Sequence, residues 1–323
     1  MKTLITGSEG FIGSHLTELL VQKGYHVKAF VKYNFQNNWG WLETSKYKKD
    51  IEVYTGDIRD FDSVYDAMKD CDIVFHLAAL IGIPYSYISP LAYVKTNTEG
   101  TYNVLEASRK LNIQRVVHTS TSEIYGTAQY VPIDEKHPYN PQSPYAASKA
   151  GADHLALSYF RSFGTPVTIV RPFNTYGPRQ SARAIIPTII SQILSGKKEI
   201  KLGNLTPTRD LNFVKDTANG FYTVGLHEKT IGDVFNLGTG KEISIGDLVN
   251  KIIELCGKDV KIKQDEARIR PGKSEVERLL CDSSKARELT GWKPEYTLEE
   301  GLKETIQWIE KNIHHFKTDI YNV

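Results

Sequence analysis

Three glycines at a three-residue spacing, Gly7, Gly10 and Gly13, separate a short apolar run, Lys2 to Thr6, from an amphipathic stretch. In that stretch Phe11, Ile12, Leu16, Leu19 and Leu20 share one face at helical spacing, and Gly24 follows as a stop. A strand, a tight glycine turn and a helix in that order constrain the fold strongly. The glycines let the turn close, let backbone N–H groups approach a pyrophosphate, and let the helix pack against the strand with its positive N-terminus toward the phosphates. Gly7, Gly10, Phe11, Ile12 and Gly13 are therefore the expected walls of a dinucleotide site.

Further apolar runs recur at Tyr25 to Val31, Ile51 to Tyr54, Ile73 to Leu77, Arg115 to Ser120 and Val167 to Arg171, with helical patterns between most of them. Strands alternating with helices predict an α/β fold, a doubly wound parallel sheet of Rossmann-like form, with ligands at the carboxyl ends of the strands. Beyond Pro172 the rhythm loosens, with helical patterns at Ala184 to Leu194, Ile245 to Leu255 and Leu298 to Ile309. The expected organisation is a dinucleotide-binding domain over 1–172 and a smaller, mainly substrate-binding lobe over 173–323, some of whose segments return to the sheet.

Lys plus Arg number 40 against 38 Asp plus Glu, a net charge of +2, which supplies no bulk attraction for nucleic acid or a membrane surface. Cys71, Cys256 and Cys281 are too scattered for a disulfide framework or a zinc site, and no metal is expected. The chain opens directly into its first strand, and no apolar run reaches the ~20 residues of a membrane span. A cytoplasmic protein is expected.

The second strand ends Val31-Lys32-Tyr33 without the acid that commonly holds the adenosine ribose. Lys32 fits a contact to a 2′-phosphate, which favours NADP over NAD, or a solvated surface position. Asp57, before Ile58, fits either the adenine edge or a turn.

Tyr145 and Lys149 stand at i and i+4 on a helix that Pro144 helps to start. A lysine there, with the positive ring of an oxidised nicotinamide, stabilises a phenolate and suits Tyr145 to proton transfer. The fifth run leads into Ser120-Thr121-Ser122-Glu123, which carries hydroxyls and a carboxylate to the same strand end.

These features, together with His76-Leu77-Ala78-Ala79, Asn97, Arg171 to Pro178 and Arg209-Asp210, resemble the extended short-chain dehydrogenase/reductases over essentially the whole chain. The resemblance implies Thr121 as the catalytic hydroxyl, Tyr145 as acid/base and Lys149 as its partner. Ile58, Leu77, Ala78 and Ala79 join the cofactor site. Thr121-Ser122-Glu123 is similar to the triplet of nucleotide-sugar 4,6-dehydratases, in which Glu123 removes the C5 proton and returns one to the leaving C6 hydroxyl. UDP-glucuronate decarboxylases share the triplet, and sugar 4-epimerases do not need the carboxylate. Asn34 to Trp41 and Ile83 to Tyr87 resemble the dehydratase of legionaminic acid pathways, which acts on nucleotide-linked N-acetylglucosamine.

A nucleotide-diphosphate sugar needs local cations, and arginine's planar fork pairs two phosphate oxygens. Asn97, Asn174, Arg179, Arg183, Arg209 and Arg270 are the expected substrate residues. Segments 97–111 and 145–163 resemble those of the family's dimer interface, so a homodimer is expected. A non-catalytic NAD(P)-binding sensor is the reading of another class, opposed by the presence of Thr121, Glu123, Tyr145 and Lys149 together.

Overall fold

The computed structural model describes residues 1–322. β1 (Lys2–Thr6), β2 (His26–Lys32), β3 (Ile51–Gly56), β4 (Ile73–His76), β5 (Arg115–Thr119) and β6 (Val167–Pro172) match the apolar runs to within two residues at either end. β7 (Asn174–Tyr176), β8 (Glu199–Leu202), β9 (Thr208–Phe213), β10 (Val234–Leu237), β11 (Glu242–Ser244), β12 (Lys261–Gln264) and β13 (Arg278–Leu279) follow. The central sheet has seven strands in the order β10-β6-β5-β4-β1-β2-β3, and every pairing is parallel.

Why the strands read as continuous apolar runs is visible in the core. Leu4, Val74, Val116 and Ile169 point to one face of the sheet, and their neighbours Ile5, Phe75, Val117 and Val170 to the other. Both faces are covered, so alternation gives no polar positions. α1 (Phe11–Gln22) contributes Leu16 and Leu20 to one face. α2 (Phe61–Met68), which follows β3, contributes Val64, Ala67 and Met68 to the other.

After β4 the chain forms α3 (Ile83–Ile88) and α4 (Pro90–Tyr93), then a π-helical segment at Val94–Glu99 that runs into α5 (Gly100–Leu111). α6 (Pro144–Phe163) starts where Pro144 predicts, with the Ser143 hydroxyl accepting the Ala146 N–H at 3.1 Å. α5 and α6 cover the same face as α2, and α8 (Val214–Gly225) covers the α1 face.

β10, at one edge of the sheet opposite β3, is not legible in the sequence. It is only four residues long and carries Asn236, a buried polar residue whose side-chain oxygen accepts from the Tyr125 hydroxyl at 2.9 Å. A second core packs α7 (Ile185–Leu194), α9 (Ile245–Cys256) and, beyond α10 (Ser284–Thr290), α11 (Leu298–Lys311) through Ile189, Ile193, Leu248, Ile252, Leu302 and Ile309. β9 pairs with β7, β11 and β13 in a smaller sheet, and its Leu211 and Phe213 join this second core. Among the described residues, no helix is long and apolar enough to cross a membrane.

Candidate active site

The strand order reverses at β1, between β2 and β4. That reversal opens a crevice at the carboxyl ends. The glycine loop lies there with little room to spare. Gly7 has φ +70°, and a Cβ on it would sit 2.8 Å from the backbone N of Ala78. A Cβ on Gly13 would fall 2.1 Å from the Gly7 carbonyl oxygen, so only glycine lets α1 pack this closely. Gly10 caps α1 without a side chain, which leaves the first-turn N–H groups free of any side-chain acceptor. Backbone donors held close to a helix N-terminus fit a pyrophosphate.

The resulting cleft, of about 640 Å³, brings together most of the expected residues. Gly7, Gly10, Phe11, Ile12, Gly13, Lys32, Asp57, Ile58, Leu77, Ala78 and Ala79 form one end, and Thr121, Ser122, Glu123, Tyr145 and Lys149 the middle. Asn174, Arg183, Arg209 and Arg270 line the other end. At the first end the Asp57 carboxylate is gripped by Arg59, whose Nε lies 3.0 and 3.1 Å from its two oxygens. Glu9, inside the glycine loop, was passed over in the sequence. Its Oε1 accepts the Lys32 N–H at 3.0 Å, which ties the loop to the end of β2.

In the middle, the Tyr145 ring packs edge-on against Tyr93, with centroids 6.2 Å apart. Burial pushes the Tyr145 phenol well above its usual range, the Thr121 hydroxyl beside it pulls the other way, and the Glu123 charge raises it again. The protein's own groups therefore hold the phenol protonated, and the phenolate expected of Tyr145 needs the positive ring of the oxidised nicotinamide as well as Lys149. Lys149 donates to the Thr119 carbonyl. Burial brings its ammonium down to about 8, and Asp153 opposes that fall.

Asp153, one turn beyond Lys149 on α6, was also missed. It takes hydrogen bonds from Ser120 and from Arg171 at 2.9 Å, and His118 Nε2 lies 3.1 Å away, with all four side chains buried. Tyr145, Lys149 and Asp153 follow one another at four-residue steps along one helix face, a spacing that could have been read. Thr121 caps the turn at Ser122–Tyr125, its hydroxyl accepting the Glu123 N–H at 3.3 Å. Glu123 is thereby set close enough to raise both the Tyr145 phenol and the Arg209 guanidinium, although burial as a whole lowers the latter. A phenol, a hydroxyl, an ammonium and a carboxylate around one point can pass protons to and from a bound alcohol.

Residues 4–305 match the family described as GDP-mannose 4,6 dehydratase. The chain belongs to that family.

It is thus an enzyme of the extended short-chain dehydrogenase/reductase group of nucleotide-sugar dehydratases and epimerases. It is 31% identical over 325 residues to the dTDP-D-glucose 4,6-dehydratase of Homo sapiens, covering 98% of this chain and 92% of that one. The structure resembles the dTDP-glucose 4,6-dehydratase of Streptomyces venezuelae with NAD bound, with a TM-score of 0.89 and 29% identity over 98% of this chain and 99% of that one. It also resembles the UDP-glucose 4-epimerase of Thermotoga maritima with UDP-glucose, with a TM-score of 0.88 and 30% identity over 97% and 100% of the two chains.

Two of the expected substrate residues of this family member lie outside the cleft. Asn97, within the π-helical segment, is buried, and its amide accepts the Leu80 N–H at 2.8 Å while donating to the Leu80 carbonyl and to Ser148, both at 2.9 Å. All of its polar atoms are engaged, so it braces the loop that carries Leu77 to Ala79. Arg179 pairs with Glu18 of α1 at 2.9 Å. At the cleft, Arg209 and Arg270 both reach the same oxygen of Glu275, each at 3.5 Å. The two guanidiniums, each in loose contact with that carboxylate, can pair with the phosphate oxygens of an anionic substrate. Asn174 offers a buried side-chain oxygen with no hydrogen-bond partner.

Proposed function

We propose that the enzyme is a nucleotide-sugar 4,6-dehydratase that converts GDP- or UDP-N-acetylglucosamine to the 4-keto-6-deoxy sugar. The observation that carries this reading is the place of Glu123 in the cleft, where its charge acts on both Tyr145 and Arg209. An epimerase needs a phenol and a hydroxyl but has no use for a carboxylate at that point.

A bound nicotinamide dinucleotide, held by residues from Gly7 to Gly13 and from Leu77 to Ala79, supplies a reversible acceptor for the hydrogen at C4. Tyr145, as the phenolate that the Lys149 ammonium and the positive nicotinamide ring would together stabilise, takes the C4 hydroxyl proton, and Thr121 hydrogen-bonds the C4 oxygen. With C4 oxidised, the C5 proton is acidic. Glu123 removes it, and the same carboxyl group returns a proton to the C6 hydroxyl as it leaves as water. Ser122, beside Glu123, has no acidic group for that step. Arg209, Arg270, Arg183 and Asn174 hold the diphosphate and ribose.

The acetamido sugar is supported by the legionaminic-type stretches 34–41 and 83–87, of which Ile83 and Pro84 line the cleft. Residues 1–172 form the cofactor domain and 173–323 mainly the substrate lobe, with α8 and β10 returned to the sheet. α5 and α6 form a homodimer face on which Tyr102 and Phe163 are exposed.

The test is to incubate the purified enzyme with a panel of nucleotide sugars and to record product masses. Loss of water from GDP- or UDP-N-acetylglucosamine, without accumulation of reduced cofactor, is the expected result. An unchanged mass with an altered C4 configuration would replace the reading with a 4-epimerase, the alternative that the likeness to the Thermotoga maritima enzyme supports. Loss of carbon dioxide from UDP-glucuronate would replace it with a decarboxylase.

A further inference from the structure

β2 ends without a carboxylate of its own, yet a carboxylate stands at that position in space. Glu9 reaches it from the glycine loop, and the Lys32 N–H, the backbone donor at the strand's last residue, holds Oε1 at 3.0 Å. The Glu9 backbone is held as well, since its carbonyl accepts the Trp41 N–H at 3.1 Å. Glu9 lines the cleft, and its Oε2 is shielded from solvent with no hydrogen-bond partner. One oxygen spoken for and one left over is an incomplete arrangement for a buried carboxylate.

We infer that Glu9 reads the adenosine ribose of the dinucleotide and makes the site selective for NAD over NADP. The inference rests on the reading of this cleft as a nicotinamide dinucleotide site. A carboxylate is acceptor-only and pairs with the neutral 2′- and 3′-hydroxyls of NAD. NADP replaces the 2′-hydroxyl with a phosphate, which places like charges side by side in a partly desolvated corner.

The cations nearby do not reverse this. Arg59 is held by both oxygens of Asp57. The Lys32 ammonium lies among carboxylates, favouring the charged forms of both Glu9 and Asp57, although burial keeps the Glu9 carboxyl above its usual range. The cation expected to favour NADP shares its corner with two carboxylates that the folded chain brings near it.

The test is calorimetric titration of the purified enzyme with NAD⁺ and with NADP⁺, for the wild type, Glu9→Gln and Glu9→Ala, each checked for a wild-type circular dichroism spectrum. The wild type is expected to bind NAD⁺ about tenfold or more tightly than NADP⁺. Glu9→Gln keeps an acceptor for the Lys32 N–H and removes the charge, so NADP⁺ binding should gain more than NAD⁺ binding loses. Glu9→Ala should weaken NAD⁺ binding and bring the ratio near one. A wild-type preference for NADP⁺, or a ratio that neither substitution moves, overturns the role of Glu9 while leaving the cofactor site intact. Binding of neither dinucleotide by the wild type overturns the cofactor site itself.

Discussion

Lys149 and Asp153 lie one helical turn apart on α6, both buried, and the Asp153 carboxylate favours the charged form of the Lys149 ammonium. Burial nonetheless holds Lys149 at about 8. The ammonium is present below that pH, so kcat/KM should decline as pH rises through about 8. Asp153→Asn removes the supporting charge and should move this limb to lower pH by about one unit. A pH–rate profile that keeps its alkaline limb in the variant would detach Asp153 from Lys149. Stability has the opposite dependence: between about 8 and 10.5 the unfolded lysine holds more protons than the folded one, so the cost of burying Lys149 fades as pH rises.

Asp153 also neutralises Arg171, which is fully buried. Asp153→Ala leaves that guanidinium without its carboxylate and should cost roughly 3–5 kcal/mol in chemical denaturation. A loss under about 1 kcal/mol would mean that Tyr125 and Tyr139, whose ring centres lie 4.7 and 5.2 Å from the guanidinium, suffice.

Tyr145→Phe keeps the ring against Tyr93 and loses only the hydroxyl. Turnover should fall by ~10²- to 10⁴-fold with little change in dinucleotide affinity. A Phe variant that retains more than a few per cent of turnover would exclude Tyr145 as the proton-transfer group.

Glu123→Gln preserves size and hydrogen bonding but cannot accept the C5 proton. Elimination should slow by ~10²- to 10⁴-fold while C4 oxidation continues. Reduced nicotinamide should build up on the enzyme, visible by its absorbance, and solvent deuterium should no longer enter C5. Near-wild-type dehydration would leave Glu123 a structural residue and remove the main support for the dehydratase reading.

Gly13→Ala forces a methyl group to within 2.1 Å of the Gly7 carbonyl oxygen. The loop or α1 must shift, at a cost of about 1–3 kcal/mol or more and with loss of dinucleotide binding. Gly272→Ala, where an added Cβ meets nothing within 4 Å, should change the melting temperature by little more than experimental error. Equal effects from the two would contradict the close packing of α1.

Local patterns by themselves determined the six strands from β1 to β6, the helices that begin at Phe11 and Pro144, and the cluster of Thr121, Glu123, Tyr145 and Lys149 at one sheet end. Those signals are periodic or contiguous, and parallel strands buried on both faces announce themselves as apolar runs. What depended on distant partners was decided only by the tertiary structure. β10 is a strand because β6 supplies its hydrogen bonds. Asn97 braces Leu80, and Arg179 pairs with Glu18 across 161 residues of chain, so neither reaches the cleft that its residue type suggested. Lys32 stands among the carboxylates of Glu9 and Asp57 because three separate loops meet at the ends of β1, β2 and β3. A one-dimensional reading sees the lysine and the missing acid, but the charge that a ligand meets is summed over space.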